Sequence, residues 1–277
     1  TFGKSRATSD GGSTVVQSGD VIGHITWVAA DGTDMNSSSA AISVEVDGTP
    51  GGNDTPGRIV FKTTADGASG VTERMRLDSS GRLLIGHTSS LGEVWNSDGG
   101  SLQVAGTSYL NSTVQISRWV NSASCPHFIM GKSRGGAVGT NVVVQDGDTA
   151  GIIAFAADDG TDLLNAVAEI RAQIDGTPGS NDTPGRLIFS TTADGSNSRT
   201  EHLRIDQGGL ITIGGGIQNQ EAASFNSGAN QLLITSDGAT GLTIDATSST
   251  SSSIHFADGS TGSESYRGII EYNHGSD

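Results

Sequence analysis

The chain has 277 residues, of which 34 % are apolar and 5 % aromatic, against roughly 45–50 % apolar, glycine included, in an ordinary globular domain. This excludes one large compact core, and with 41 glycines spread along it the chain must fold around a thin one. Lys and Arg number 15 against 30 Asp and Glu, a net charge of −15; such a surface repels phosphate backbones and argues against a nucleic-acid partner.

The single cysteine, Cys125, has no intrachain partner for a disulfide, which excludes a disulfide-stapled scaffold and the Cys-rich metal modules. No run approaches the roughly 18 consecutive apolar residues of a membrane-spanning helix, and no charged, apolar, small-residue leader opens the chain, so membrane insertion and a signal peptide are not expected. The chain starts without Met and stops in mid-pattern at His274-Gly275-Ser276-Asp277, which reads as a portion of a longer polypeptide.

Self-similarity organises the rest. Gly3-Lys4-Ser5-Arg6 returns as Gly131-Lys132-Ser133-Arg134, a displacement of 128 positions that holds without a gap. Asp31-Gly32-Thr33-Asp34 maps onto Asp159 to Asp162, Asp47-Gly48-Thr49-Pro50-Gly51 onto Asp175 to Gly179, and Asn53 to Arg58 onto Asn181 to Arg186. Thr63 to Gly67 returns as Thr191 to Gly195, and Ile85-Gly86 as Ile213-Gly214. Residues 1–86 thus form a first module and 131–214 a second. Residues 87–130 and 215–256 connect them, and a shortened third module begins over 257–277, after His127-Phe128 has returned as His255-Phe256.

In chain order, the first module shows apolar residues with a period of two: Ile25, Trp27 and Ala29; then Ile42, Val44 and Val46; then Ile59 and Phe61; then Met75 and Leu77; then Leu83 and Ile85. This is the pattern of strands with one buried face. The intervening Asp31-Gly32, Asp47-Gly48, Pro50-Gly51, Pro56-Gly57, Asp66-Gly67 and Ser80-Gly81 steps are turn signals. The two modules test the facing against each other. Ile42, Val44 and Val46 become Ile170, Ala172 and Ile174, whereas Ser43 and Glu45 become Arg171 and Gln173, so the apolar set is read as inward and the drifting polar set as outward. The connecting segments, with sparse pairs such as Leu102-Val104, Val114-Ile116, Leu232-Ile234 and Leu242-Ile244, are expected to hold isolated strands, and Thr247 to Ser253 reads as linker. Ala166 to Ala172 has good helix formers, but its counterpart Ser38 to Val44 does not, so little or no helix is expected.

The expected fold is therefore all-β: tandem repeats of a meander of short antiparallel strands. A module of this kind has no amphipathic helix and too few large side chains to cover its own apolar face, and its sheet edges would be unpaired. Parallel association of identical chains about a common axis removes both difficulties, so an obligate oligomer is expected. Three sheets closing a triangular prism suggest a homotrimer by analogy. With about a dozen strands per module at roughly 4.8 Å each, one period would advance an elongated fibre by about 50–70 Å.

Val-Val-Gln-x-Gly-Asp, Asp-Gly-Thr-Asp, Asp-Gly-Thr-Pro-Gly-(Gly/Ser)-Asn-Asp-Thr-Pro-Gly-Arg, (Val/Ile)-Phe-(Lys/Ser)-Thr-Thr-Ala-Asp-Gly and Thr-Glu-x-x-Arg-(Leu/Ile)-Asp recur in both modules. Together they resemble the repeat modules of bacteriophage tail fibres over residues 3–86 and 131–214, and Ser253 to Gly268 also looks like a fibre module. The resemblance implies a β-prism-like homotrimeric fibre, built from two further identical chains. It implies a virion component assembled in the host cytoplasm and acting extracellularly, attached to tail, baseplate or adaptor proteins. Contact with host polysaccharide or protein would come through a tip outside this chain. A self-cleaving chaperone domain of the kind found in such fibres is expected only beyond Asp277.

Chemical motifs are weighed against plainer roles. Gly131-Lys132-Ser133-Arg134-Gly135 satisfies a nucleophile elbow, but that elbow needs an α/β strand-to-helix turn, and the first copy has Ala7 at its last position. The same Gly-Lys-Ser fails as a phosphate loop because Pro126 stands where a Gly is required. Asp31 to Asp34 and Asn53-Asp54, with their second copies, offer calcium-type oxygens, yet tight turns demand the same residues. His127 and His255 are one repeat apart and would need symmetry mates to make a metal site. Trp95 and Trp119 are open as sugar platforms, whereas Trp27, replaced by Phe155, behaves as core. Glu73 and Asp78, repeated as Glu201 and Asp206, are the carboxylate pairs a glycosidase would need; their repetition favours architecture. No catalytic, cofactor or metal residue is assigned, and no enzyme activity is expected. The function read from the sequence is a tail-fibre shaft projecting a receptor-binding tip; the alternatives are a tailspike-type polysaccharide depolymerase and a collar or head fibre.

Overall fold

The computed structural model describes residues 1–92, 94–95, 99–214, 232–234, 251–256 and 268–273. The chain divides into two compact units, Thr1–Met130 with Ala154–Val167, and Gly131–Ile153 with Ala168–Asp277.

The first sheet has six strands in chain order: Val21–Val28 (β1), Ser38–Val46 (β2), Gly57–Thr63 (β3), Thr72–Leu77 (β4), Leu83–Ile85 (β5) and Leu102–Val104 (β6). Alternation and β-branched residues make the strands, and the turns have the backbone that the Gly and Asn positions require. Gly81 takes φ +76° between β4 and β5, and Asn53 takes φ +64° in the turn closed by Gly51 and Asp54. The second sheet repeats this with Thr149–Ala156 (β7), Ala166–Ile174 (β8), Gly185–Thr192 (β9), Arg199–Ile205 (β10), Ile211–Ile213 (β11) and Leu232–Ile234 (β12). Gly209 at φ +82° and Asn181 at φ +60° repeat the same turns. Ser251–Phe256 (β13) and Gly268–Asn273 (β14) form a separate antiparallel pair. Among the described residues the one helical element is a 3-10 turn at Tyr109–Asn111. Residues 257–267 and 274–277 of the expected third module, and the Thr247 to Thr250 part of the linker, lie outside the described residues.

The all-β, antiparallel-rich fold agrees with the sequence. Three details differ. Among the described residues each 128-residue period contributes six strands to a sheet, five from the module and one from the connecting segment, not about a dozen. The meander is not wholly antiparallel, because β6 pairs with β5, and β12 with β11, in parallel. Leu102–Val104 and Leu232–Ile234 are thus not isolated strands but the closing edges of the sheets. A crossover from β5 to β6 makes this possible, and Gly86 permits its close start: at φ +84°, a Cβ there would meet the Ala105 carbonyl oxygen at 2.3 Å.

Candidate functional site

Register sorts the side chains of the first sheet onto two unlike faces. Ile25, Ile42, Phe61, Met75, Ile85 and Val104 lie opposite one another across all six strands. The neighbouring row runs Gly23, Val44, Ile59, Leu77, Leu83 and Leu102. The second sheet repeats both rows as Ile170, Phe189, Leu203 and Ile213, and Ala172, Leu187, Ile205 and Ile211. Two continuous apolar rows therefore cross the first sheet, and two run from β8 to β11 in the second. They are the residues read as inward, yet their own chain does not cover them. Ile25, Trp27, Val44, Ile59, Leu77 and Leu102 are exposed, and Ile42, Phe61, Met75, Leu83 and Ile85 are half-buried. Val46 is sealed, where the Val46 N–H donates to Asp20 O and Val46 O accepts from Gly19. Phe2 rests where a Cβ on Gly23 would stand and shields the β1 end of the row.

The other face corrects the expectation for Ser43 and Glu45. Both are buried, together with Val60, Arg76, Leu84 and Gln103. Long polar side chains lie over this face and bond to each other instead of to solvent. Arg58 donates to Glu45 at 2.7 Å and to Asp47 at 2.9 Å, and Lys62 donates to Glu45 at 2.9 Å. Ser43 Oγ donates to Glu45 Oε1 at 2.7 Å. Burial pushes the Glu45 carboxyl up, but bonds from Lys62, Ser43 and Arg58 outweigh it and hold the group at about 2. Val60 and Leu84 sit beneath this layer, a small core roofed by charge.

The residues singled out from sequence take structural positions. Glu73 accepts two bonds from Arg76, at 2.5 and 2.8 Å, and Glu201 accepts two from Arg204, at 2.6 and 3.0 Å. Asp78 accepts from the Ser80 and Arg82 N–H groups at 2.9 Å, and Asp206 from Gly208 and Leu210 at 2.8 and 2.9 Å, so both close the β-turns that follow them. Asp31 accepts from the Thr33 and Asp34 N–H groups and from Ser37, which lowers its pKa and fills its carboxylate. Asn53 and Asp54 belong to a tight turn. No three His, Cys, Asp or Glu side chains converge among the described residues.

Ser133 Oγ donates to Thr140 O at 2.9 Å and accepts from the Gly135 and Val142 N–H groups. Ser5 Oγ donates to Thr14 O, as Ser133 Oγ also does to Val142 O, and accepts from the Ala7 N–H, so the Gly-Lys-Ser-Arg motif is a loop lock in both copies. Its arginine clasps an aspartate, Arg6 to Asp20 at 2.7 and 2.8 Å and Arg134 to Asp148 at 2.6 Å twice, holding both carboxyls well below their usual range. Sequence reading missed this clasp, although Arg6 with Arg134 and Asp20 with Asp148 share the repeat spacing. Trp27 lies on the apolar face with Ile25. Trp95 is half-buried and its backbone N–H donates to Leu163 O at 2.8 Å. His127 is exposed; the His255 side chain lies outside the described residues.

Trp119 belongs to a stretch in which every residue from 106 to 134 is exposed. Val114, Ile116, Val120, Phe128, Ile129 and Met130 are bare within it. From residue 113 to 123 no backbone N–H donates to any described residue.

No protein-family model matches the chain, and no curated protein matches it. Solved structures match by fold, among them two of a phage tail fibre. The carboxy-terminal domain of the bacteriophage T5 L-shaped tail fibre is 19 % identical, with a TM-score of 0.62 over 87 % of this chain and 99 % of that one. The same domain with its intra-molecular chaperone domain is 18 % identical, with a TM-score of 0.64 over 88 % of this chain and 65 % of that one. The β architecture of this chain is that of a phage tail-fibre domain.

Proposed function

We propose that the chain is part of a bacteriophage tail fibre and serves as shaft, associating with two identical chains to project a receptor-binding end toward the host. The single observation that carries the reading is the pair of apolar rows in each sheet that their own chain leaves exposed or half-buried. Fully burying one such Val, Ile, Leu or Phe side chain is worth about 1.5–3 kcal/mol, so repeated rows supply a driving force that a monomer leaves unused. Contiguous exposed apolar side chains of this kind mark an interface. Identical chains in parallel present equivalent rows at every level. The exposed stretch 106–134, with bare apolar side chains and unused backbone donors, is a second region suited to partner chains. The polar face, ion-paired and self-sufficient, is then the outer surface, and the charge of −15 keeps it soluble.

The chain acts without catalysis in this reading. The carboxylates a polysaccharide depolymerase would use, Glu73, Asp78, Glu201 and Asp206, are occupied by arginines and turn N–H groups. Attachment to tail or baseplate proteins and host contact through a tip belong to the same proposal. Sedimentation velocity combined with mass photometry tests it: three chains in an extended particle are expected, and a compact monomer that unfolds cooperatively would overturn it.

A further inference from the structure

The polar faces of the two sheets are not copies of one another. In the first, Arg58 and Lys62 are balanced on Glu45 and Asp47, and Arg76 on Glu73. In the second, the framework pairs persist as Arg186 with Asp175 and Arg204 with Glu201. Among the positions that change character, Ala41, Ser43 and Val71 of the first module are Glu169, Arg171 and Arg199 in the second, while Glu45 and Lys62 give way to Gln173 and Ser190. The first three meet. Glu169, buried, accepts Arg171 Nε–H on Oε1 at 2.6 Å, and Arg199 Nε lies 3.1 Å from Oε2 as an ion pair without hydrogen-bond alignment. One carboxylate thus draws two guanidinium groups to it, Arg171 by a hydrogen bond and Arg199 by charge. The terminal nitrogens of both are without a partner among the described residues.

The pair opens into a groove of about 500 Å³, which also presents Arg186, Glu201 and Arg204. This volume falls in the range of about 300–1,000 Å³ typical of small-molecule sites. Four arginines face two carboxylates there, in a chain that is otherwise strongly acidic. Guanidinium forks match carboxylates in a bidentate manner. Ser190, Asn197 and Ser198 on the same walls offer amide and hydroxyl groups suited to sugar hydroxyls. No aromatic side chain lines the groove, so nucleobases would find no stacking surface, and the negative chain repels a long polyanion.

We propose that this groove binds a short acidic saccharide, with the free ends of Arg171 and Arg199 gripping a sugar carboxylate. Glu169 is a positioning residue that sets both forks. The site lies within one chain and stands whether or not that chain is a trimeric shaft.

The test is calorimetric titration of the intact protein with tetragalacturonate, with neutral maltotetraose and inorganic phosphate in parallel. Binding of tetragalacturonate that weakens with added salt is expected, and none of maltotetraose. The triple variant E169A/R171S/R199V writes the first module's residues into the second and leaves no unpaired buried charge; it should lose at least tenfold in affinity with little change in thermal unfolding. R171K/R199K, which keeps both charges and removes the forks, should lose affinity severalfold. Equal binding of the neutral sugar, unchanged affinity in the triple variant, absence of tetragalacturonate binding, or binding of phosphate alone would each overturn the proposal.

Discussion

Ser43 and Val44 are adjacent in β2, and the serine is the covered one: it is 3 % exposed, whereas the valine is 40 % exposed. Ser43 lies under Arg58 and Lys62 and donates to Glu45, which both cations also reach. Val44 lies between Gly23 and Ile59 in a row that the chain leaves open. A half-buried sheet ordinarily puts its apolar face against its own core and its polar face toward water. Here the polar face has been made self-sufficient by ion pairs, and the apolar face is the one that needs a partner.

Val44→Asp therefore discriminates association from folding. A carboxylate placed in a packed apolar row is costly to bury, so the variant should sediment as a single chain at concentrations where the unaltered protein is associated. Glu45, Arg58 and Lys62 stay as they are, and so the hydrogen-bonded ladder of the sheet should persist by circular dichroism. Retention of the full association state would remove Val44 from the interface.

Leu84 tests the small core on the other face. It is 1 % exposed and lies in a cross-strand row between Arg76 and Gln103, with Val60 beyond Arg76. Leu84→Ala leaves a cavity beneath side chains too polar to collapse into it. A loss of about 2–5 kcal/mol is expected in denaturant unfolding, while association through the opposite face should be retained. A loss well under 1 kcal/mol would mean that the charged layer, not Leu84, holds that face together.

The strands and turns were legible because the repeat gave two readings of each position: Asp47 and Asp175, or Gly81 and Gly209, occupy the same turns. The division into two faces was legible too, from Ile42 and Val44 against Ser43 and Glu45. Which face the chain covers was not. Period-two alternation is blind to the length of the polar side chains, and it is the reach of Arg58, Lys62 and Arg76 that roofs Ser43 and Val60. The parallel pairing of β5 with β6 escaped because it depends on a crossover through a polar segment and on the close approach at Gly86. The Arg171–Glu169–Arg199 cluster was hidden for a different reason: it is a departure from the repeat, and only register brings β8 and β10 side chains over the same strand.

Acid should weaken the first sheet in a defined window. The Glu45 carboxyl has an ordinary value of 4.5 and is held at about 2 in the fold. A group depressed on folding contributes stability that is complete above its unfolded value and is lost as pH falls through the folded one. Thermal unfolding temperatures should then hold above about pH 4.5 and decline from there toward pH 2, with Asp47 and Asp78, also lowered, acting in the same direction. Glu45→Gln should flatten part of that decline and lower stability at pH 7, since Gln leaves Lys62 without its counter-charge and Arg58 with Asp47 alone. The second module already has Gln173 at this position, where Arg186 donates to its amide oxygen at 2.9 Å. An unchanged acid profile in Glu45→Gln would show that the ion pairs on this face do not contribute to stability.

The stretch around Trp119 offers a test independent of any apolar substitution. Trp119 is 88 % exposed, and from 113 to 123 no backbone N–H donates to any described residue. Unpaired amides in an exposed segment exchange with solvent on the timescale of an open chain. If partner chains supply the missing acceptors, hydrogen exchange over residues 113–130 should be slow in the associated protein and become fast in Val44→Asp. Trp119 fluorescence should shift to the red in the same variant as its indole enters water. Fast exchange in the associated protein would show that this stretch is solvated in the assembly, and would confine the interface to the rows of the two sheets.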